Sequence, residues 1–200
     1  MIETSKVDAL KCTVDIFKEV INDKRVLKCM SRLSEYDKNT YWHSVRVCEF
    51  SLFIGKRMNM KDKDLLTLGY AAILHDIGKT MVDIDIIAKP DKLTDLEMVE
   101  VRKHPIYGSY LLLDLGLPNR AMRAIVEHHE KLDGTGYPFG LRGREICIEA
   151  RIISIADIFD AVTYTRPYTK KAMSNREAVD MLYSMTGVDS RYVEALQMIV

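Results

Sequence analysis

Five histidines are all the chain contains, His43, His75, His104, His128 and His129, and their neighbours suggest chemistry. Asp76 follows His75 in the run LHDIGK, while His128-His129 precedes Glu130 and the glycine-rich stretch DGTGYP. A single histidine reads most simply as a solvated or hydrogen-bonded side chain. That reading weakens when several sit at helix ends beside glycine loops. The segment RIISIADIFDAVTY (151–164) adds an acid to the set. It is apolar nearly all round, as buried helices are, and its exceptions Ser154, Asp157 and Asp160 recur every third residue on one stripe. A buried carboxylate without a partner is costly. No lysine or arginine lies within a helical turn of Asp157, so it calls for a metal ion, or for a salt bridge to a distant arginine.

Helical periodicity dominates the elements that must position these groups, and no stretch alternates like a half-buried strand. Val7, Leu10, Val14, Phe17 and Ile21 mark a first helix that ends at Asn22-Asp23, and Val26 to Leu33 a second. A third starts near Thr40 with Val47, Phe50, Ile54 and Met58 on one face, and Leu65, Leu68, Ala72 and Leu74 place a fourth, with Gly78 as its stop. Thr94 with Glu97 and Ser174 with Glu177 are capping boxes. Pro105 opens a helix to about Leu115, another runs from Asn119 to His129, and 133–143 is a loop. A helix from Glu149 to about Tyr164 and two shorter ones close an all-α chain. A helical appendage is expected over 1–36, ahead of a functional core over 37–200.

Composition narrows the function. Lysine plus arginine equals aspartate plus glutamate at 29 each, against the basic face that DNA or long RNA requires. Cys12, Cys29, Cys48 and Cys147 form no CxxC pair and are expected as reduced, mostly buried thiols of a cytoplasmic protein. No signal peptide and no membrane-spanning run is evident. GKT at 78–80 is no P-loop, because the required first glycine would fall at Ile73.

Taken in order, His75-Asp76 with Lys79, His104-Pro105-x-x-Gly108, HHEKLDGTGYP (128–138) and IADIFDAVTYTRPY (155–168) resemble the HD-GYP branch of the HD phosphohydrolase superfamily. The resemblance spans about 37–196, roughly four fifths of the chain. It implies an HD-domain helical bundle, here with an extra short helical N-terminal segment. It also implies a metal-dependent phosphodiesterase acting on a cyclic dinucleotide, cyclic di-GMP first among them. The product would be linear pGpG, with onward hydrolysis to GMP left open. One divalent ion would be held by His43, His75, Asp76 and Asp157, the second by Asp76, His104, His128 and His129, with Asp76 bridging. Imidazole plus carboxylate without thiolate favours iron or manganese, with zinc, cobalt and nickel left open by affinity. Between two such ions a water is acidified to a hydroxide that can attack phosphorus. Lys79 would neutralise the attacked phosphate, Tyr137 would stack on guanine, and Arg166 would contact the ligand.

Departures from the family pattern refine these expectations. Asn39 stands where some members carry a glutamate for a third metal, so two ions are expected. Thr169 stands where a lysine is usual, three residues after Arg166. Regulation is expected through a homodimer or a separate regulatory protein. The alternatives are a non-catalytic receptor for the nucleotide or a partner, and a hydrolase of another cyclic dinucleotide such as 3′,3′-cyclic GMP-AMP.

Overall fold

The computed structural model describes residues 2–164 and 172–200, with side chains described from residue 11 onward. Its helices are α1 (Ile2–Asn22), α2 (Lys24–Tyr36), α3 (Lys38–Arg57), α4 (Asp62–Leu74), α5 (Ile84–Ile87), α6 (Asp95–Val101), α7 (His104–Leu112), α8 (Asn119–Glu127), α9 (Ile148–Thr163), α10 (Asn175–Ser184) and α11 (Ser190–Gln197). Short 3-10 turns cover Ile77–Met81, Leu113–Leu115 and Gly143–Glu145. The fold is all-α, as expected. Among the described residues the one extended pairing is an isolated bridge between Asp133 and Arg142.

Short acceptor side chains cap the starts of α2, α3, α5, α6, α10 and α11. Asp23 caps α2 and Asp37 caps α3, the latter accepting from the backbone of Asn39 and Thr40 at 3.2 and 2.8 Å. Both capping boxes form, Thr94 with Glu97 and Ser174 with Glu177. α3 lies centrally, packed along α4 and α9, with α1, α2 and α11 around it. α7 packs on the Ile77–Met81 turn and on α8, and α8 reaches α4 and α9. Apolar side chains from nearly all of these helices, Val20, Leu33, Leu52, Leu68, Ile125 and Phe159 among them, merge into one buried cluster. Residues 1–36 contribute to that cluster through Ile16, Val20, Val26, Met30 and Leu33. The Tyr70 hydroxyl of α4 donates to Asp23 at 2.9 Å, tying the corner between α1 and α2 to the bundle.

Several expected boundaries move. α7 stops at Leu112 and continues to Leu115 as a 3-10 turn; α8 stops at Glu127, leaving His128 as its C-cap. Gly78 does not end α4, which stops at Leu74. It lies buried in the next turn, where a Cβ would meet the His104 carbonyl oxygen at 1.9 Å and the Gly108 nitrogen at 2.4 Å. Its glycine is required by a close backbone crossing, not by a left-handed cap. Of the two glycines of DGTGYP, Gly134 takes a positive φ of 80°, whereas Gly136 is needed because a Cβ would lie 2.4 Å from Glu130 Cα. All four cysteines are free, but only Cys48 is buried; Cys12 and Cys29 lie on half-covered faces of α1 and α2, and Cys147 is half-covered just ahead of α9. Arg166 and Thr169 lie outside the described residues.

Candidate metal centre

Helix ends deliver most of the histidines. His75 is the C-cap of α4, His104 opens α7 just past the end of α6, and His128 is the C-cap of α8 with His129 following. The last carbonyls of a helix have no partner within it. In each case the imidazole folds back onto one: Nδ1 lies 2.8 Å from Ala72 O for His75, 2.8 Å from Val101 O for His104 and 2.7 Å from Ile125 O for His128. A carbonyl can only accept, so Nδ1 carries the proton in all three rings. In the neutral imidazole Nε2 is then a bare lone pair. His43 sits in the second turn of α3, with Nδ1 2.6 Å from Asp160 Oδ2. Asp157 projects from α9, and Asp76 stands between α4 and the following turn.

The Nε2 atoms converge on Asp76, which is buried. His43, His75 and His104 approach its carboxylate at 3.6, 3.4 and 3.3 Å, and His43 lies 3.0 Å from Asp157 Oδ1. His104 Nε2 and His128 Nε2 are 3.2 Å apart. With both Nδ1 atoms protonated, that contact places two lone pairs face to face, which is repulsive unless a cation lies between them. His75 Nε2 and Asp76 Oδ1 are buried with no hydrogen-bond partner, although ionic neighbours lie just beyond bonding geometry. Such orphaned atoms are rare and costly in a packed interior. His104, His128 and His129 can converge on one ion, and His43, His75 and Asp157 on another, with Asp76 close to both. The donor set and its unsatisfied atoms fit divalent cations.

Electrostatics follow the same geometry. Burial pushes His104 down to about 3 and His129 down to about 4, and holds His128 well below its ordinary value. Burial would also lower His43, but Asp157 and Asp160 outweigh it and raise that ring. Asp76 and Asp157 are pushed upward by burial, yet stay well below the usual carboxylate range; Lys79 and His75 dominate for the first, His43 for the second.

Lys79 Nζ donates to Asp76 Oδ2 at 2.6 Å. Lys79 and His43 also line a cavity of about 300 Å³ with Asp37, Asn39, Thr40, Ile86, Ile87 and Val101. Tyr137 stacks on His129 with centroids 4.7 Å apart at 26°, and the Arg102 guanidinium lies 5.4 Å from its ring centre. Nine of the expected site residues thus fall together around one centre; the tenth, Arg166, is outside the described residues.

Two buried acids escaped the sequence reading as site residues. Asp160, on the stripe with Asp157, accepts from Arg46 Nε at 2.5 Å and Arg46 Nη2 at 3.0 Å besides its contact with His43. Glu130, next to His129, accepts from the backbone N–H groups of Phe139, Gly140 and Leu141 at 2.6, 3.1 and 3.0 Å and so pins the glycine-rich loop. The signal for both was an acid inside an apolar or ligand-bearing run.

The family model described as "HD domain" matches residues 17–192. The chain belongs to the HD-domain family, in its HD-GYP branch. A cyclic di-GMP phosphodiesterase of Pseudomonas aeruginosa is 39% identical over 178 residues, covering 86% of this chain and 42% of that protein. A 3′3′-cGAMP-specific phosphodiesterase of Vibrio cholerae is 40% identical over 159 residues, covering 80% of this chain and 32% of that protein. The HD-GYP chain thus spans less than half the length of these curated relatives. An HDGYP protein from Bdellovibrio bacteriovorus has the same fold at a TM-score of 0.65 and 24% identity, covering 78% of this chain and 51% of that one. Among the described residues no helix is long and apolar enough to cross a membrane.

Proposed function

We propose that this HD-GYP chain is a phosphodiesterase that hydrolyses cyclic di-GMP to linear pGpG at a centre of two divalent transition-metal ions. The observation that carries this is the facing pair of bare imidazole nitrogens, His104 and His128, in a cage whose other donors include two buried carboxylates. One ion is assigned to His43, His75, Asp76 and Asp157, the other to Asp76, His104, His128 and His129. Nitrogen and oxygen donors without thiolate favour iron or manganese. Asn39 donates to Asp37 at 3.4 Å and offers no carboxylate, which supports two ions over three. Bound ions of this kind supply Lewis acidity to a phosphate and a water of lowered pKa.

The chain's own groups do the rest. Lys79, held on Asp76, stands at the cavity wall, where it can turn its ammonium to the non-bridging oxygens of the phosphate and offset their developing charge. Isoleucines 86 and 87 with Val101 give the cavity an apolar side for a base, while Asp37, Asn39 and Thr40 give it a polar one. Tyr137 covers His129 with one ring face, so in this arrangement it braces a ligand as well as standing near the nucleotide. Arg166 keeps its family role as a ligand contact.

A second reading, hydrolysis of 3′,3′-cyclic GMP-AMP, is favoured by the 40% identity to the V. cholerae enzyme named for that substrate. A receptor without activity would have no need of a complete cage. The test is protein reconstituted anaerobically with iron or manganese and given cyclic di-GMP or cyclic GMP-AMP, with linear products followed by chromatography and Asp76→Ala alongside. Turnover of cyclic di-GMP above that variant, with about two ions per chain, is expected. No turnover of either dinucleotide with either metal refutes the enzyme in favour of the receptor, and three ions refute the inference from Asn39.

A further inference from the structure

His43 differs from the other anchored rings of the cage. His75, His104 and His128 each stand where a helix has just ended, so an orphan carbonyl is at hand for Nδ1. His43 lies inside α3, where backbone carbonyls are already bonded along the helix. Its Nδ1 needs a partner from elsewhere, and α9 supplies one in Asp160 at 2.6 Å. Asp160 is fully buried, and Arg46 grips both of its oxygens. Arg46 is itself fixed by stacking on Tyr164, with its central carbon 3.4 Å from the ring centre. Tyr164, Arg46, Asp160 and His43 therefore form an ordered chain of contacts ending at a candidate metal ligand.

We propose that Asp160 is a positioning residue that holds His43 in the Nδ1–H form with Nε2 aimed into the cage, and thereby sets occupancy of the subsite formed by His43, His75 and Asp157. The inference rests on the metal reading above. An isolated buried ion pair between Asp160 and Arg46 would serve stability alone, and such pairs are often replaceable by apolar groups. The third contact is what a stability role does not require. A carboxylate bonded to the outer nitrogen fixes tautomer and ring orientation and raises the basicity of the inner one, and losing such a partner weakens metal binding about 10- to 100-fold. The effect is confined to one subsite, because the other anchored rings draw their orientation from the backbone.

The experiment titrates metal-free protein with manganese, measuring ion count and affinity by calorimetry and following the electron paramagnetic resonance spectrum. Wild type should take two ions and show a spin-coupled pair. Asp160→Asn keeps an acceptor but loses the charge and should bind one ion as before. Its second ion should bind about 10- to 100-fold more weakly, with the coupled spectrum giving way to that of isolated manganese. Arg46→Lys, which leaves a cation on Asp160, should keep both ions. Two ions of wild-type affinity in Asp160→Asn overturn this inference alone; a wild type that takes up no ion overturns the metal reading and this inference with it. Should Asp160→Asn fail to fold, nitrogen-15 histidine spectra of zinc-loaded wild type decide, since a proton on Nε2 of His43 overturns the proposal and one on Nδ1 supports it.

Discussion

The crossing at Gly78 allows a quantitative test of how the cage is held together. In Gly78→Ala the new methyl carbon would start 1.9 Å from the His104 carbonyl oxygen and 2.4 Å from the Gly108 nitrogen. Both neighbours are backbone, so neither can rotate away. Side-chain carbons essentially never come within about 3.0 Å, so the Ile77–Met81 turn and α7 must part by about 1 Å. That turn carries Lys79 and directly follows Asp76, and α7 begins with His104, whose Nε2 lies 3.3 Å from Asp76 Oδ1. Overpacking against rigid backbone should cost about 3 kcal/mol, the upper end for such substitutions. For a chain of this size that lowers the melting temperature by about 6–12 °C. A displacement of about 1 Å between cage donors should also lower turnover by about 100-fold. Gly108→Ala is the control: its nearest contact, Ile125 Cγ2, is at 3.4 Å, which a side chain can accommodate. Thermal unfolding, ion counts and turnover are measured on both variants. A Gly78→Ala protein that melts with wild type and keeps two ions would refute the claim that this crossing sets the Asp76–His104 spacing.

Other perturbations separate the roles of individual groups. Lys79→Met should lower turnover about 100- to 1,000-fold while the ion count stays at the wild-type value, since the lysine acts on charge at the phosphate and is no ligand; steady-state rates and elemental analysis check this, and lost metal would contradict it. Glu130→Ala removes the acceptor of three backbone N–H groups and should cost about 3 kcal/mol in urea unfolding; a change within error would show that the loop is held by other contacts. The metal-free protein should lose stability as pH falls from about 6.5 toward 4. His104, His128 and His129 are held neutral by burial when folded but take up protons near 6.5 when unfolded, so the unfolded chain binds more protons in that window. His43, raised when folded, works in the opposite direction but is one ring against three. Urea midpoints at pH 7.5 and 5 test the sign, and a midpoint at pH 5 equal to or above that at 7.5 would contradict it.

What could be read from the sequence, and what could not, follows from where each residue stands on its helix. Periodicity placed the helices because burial follows the helical repeat, and the two capping boxes were visible because their partners are three residues apart. The five histidines were recognisable as ligands through the motifs that carry the family resemblance, whereas the carbonyls that orient His75, His104 and His128 emerge only from the fold. Gly78 was misread because its reason lies about 26–30 residues away, in the backbone at His104 and Gly108, and a one-dimensional pattern offers a stop signal first. Asp160 was seen as a member of a stripe and given no partner, since His43 and Arg46 lie 117 and 114 residues distant. The same distinction divides the four rings anchored through Nδ1 into two kinds. Rings oriented by local carbonyls keep that acceptor whatever substitution is made in a neighbouring side chain. His43, oriented by a side chain from another helix, can be released by a single mutation. On the proposed two-ion assignment, the subsite that contains His43 should be the first to lose its ion when the packing of α3 on α9 is loosened.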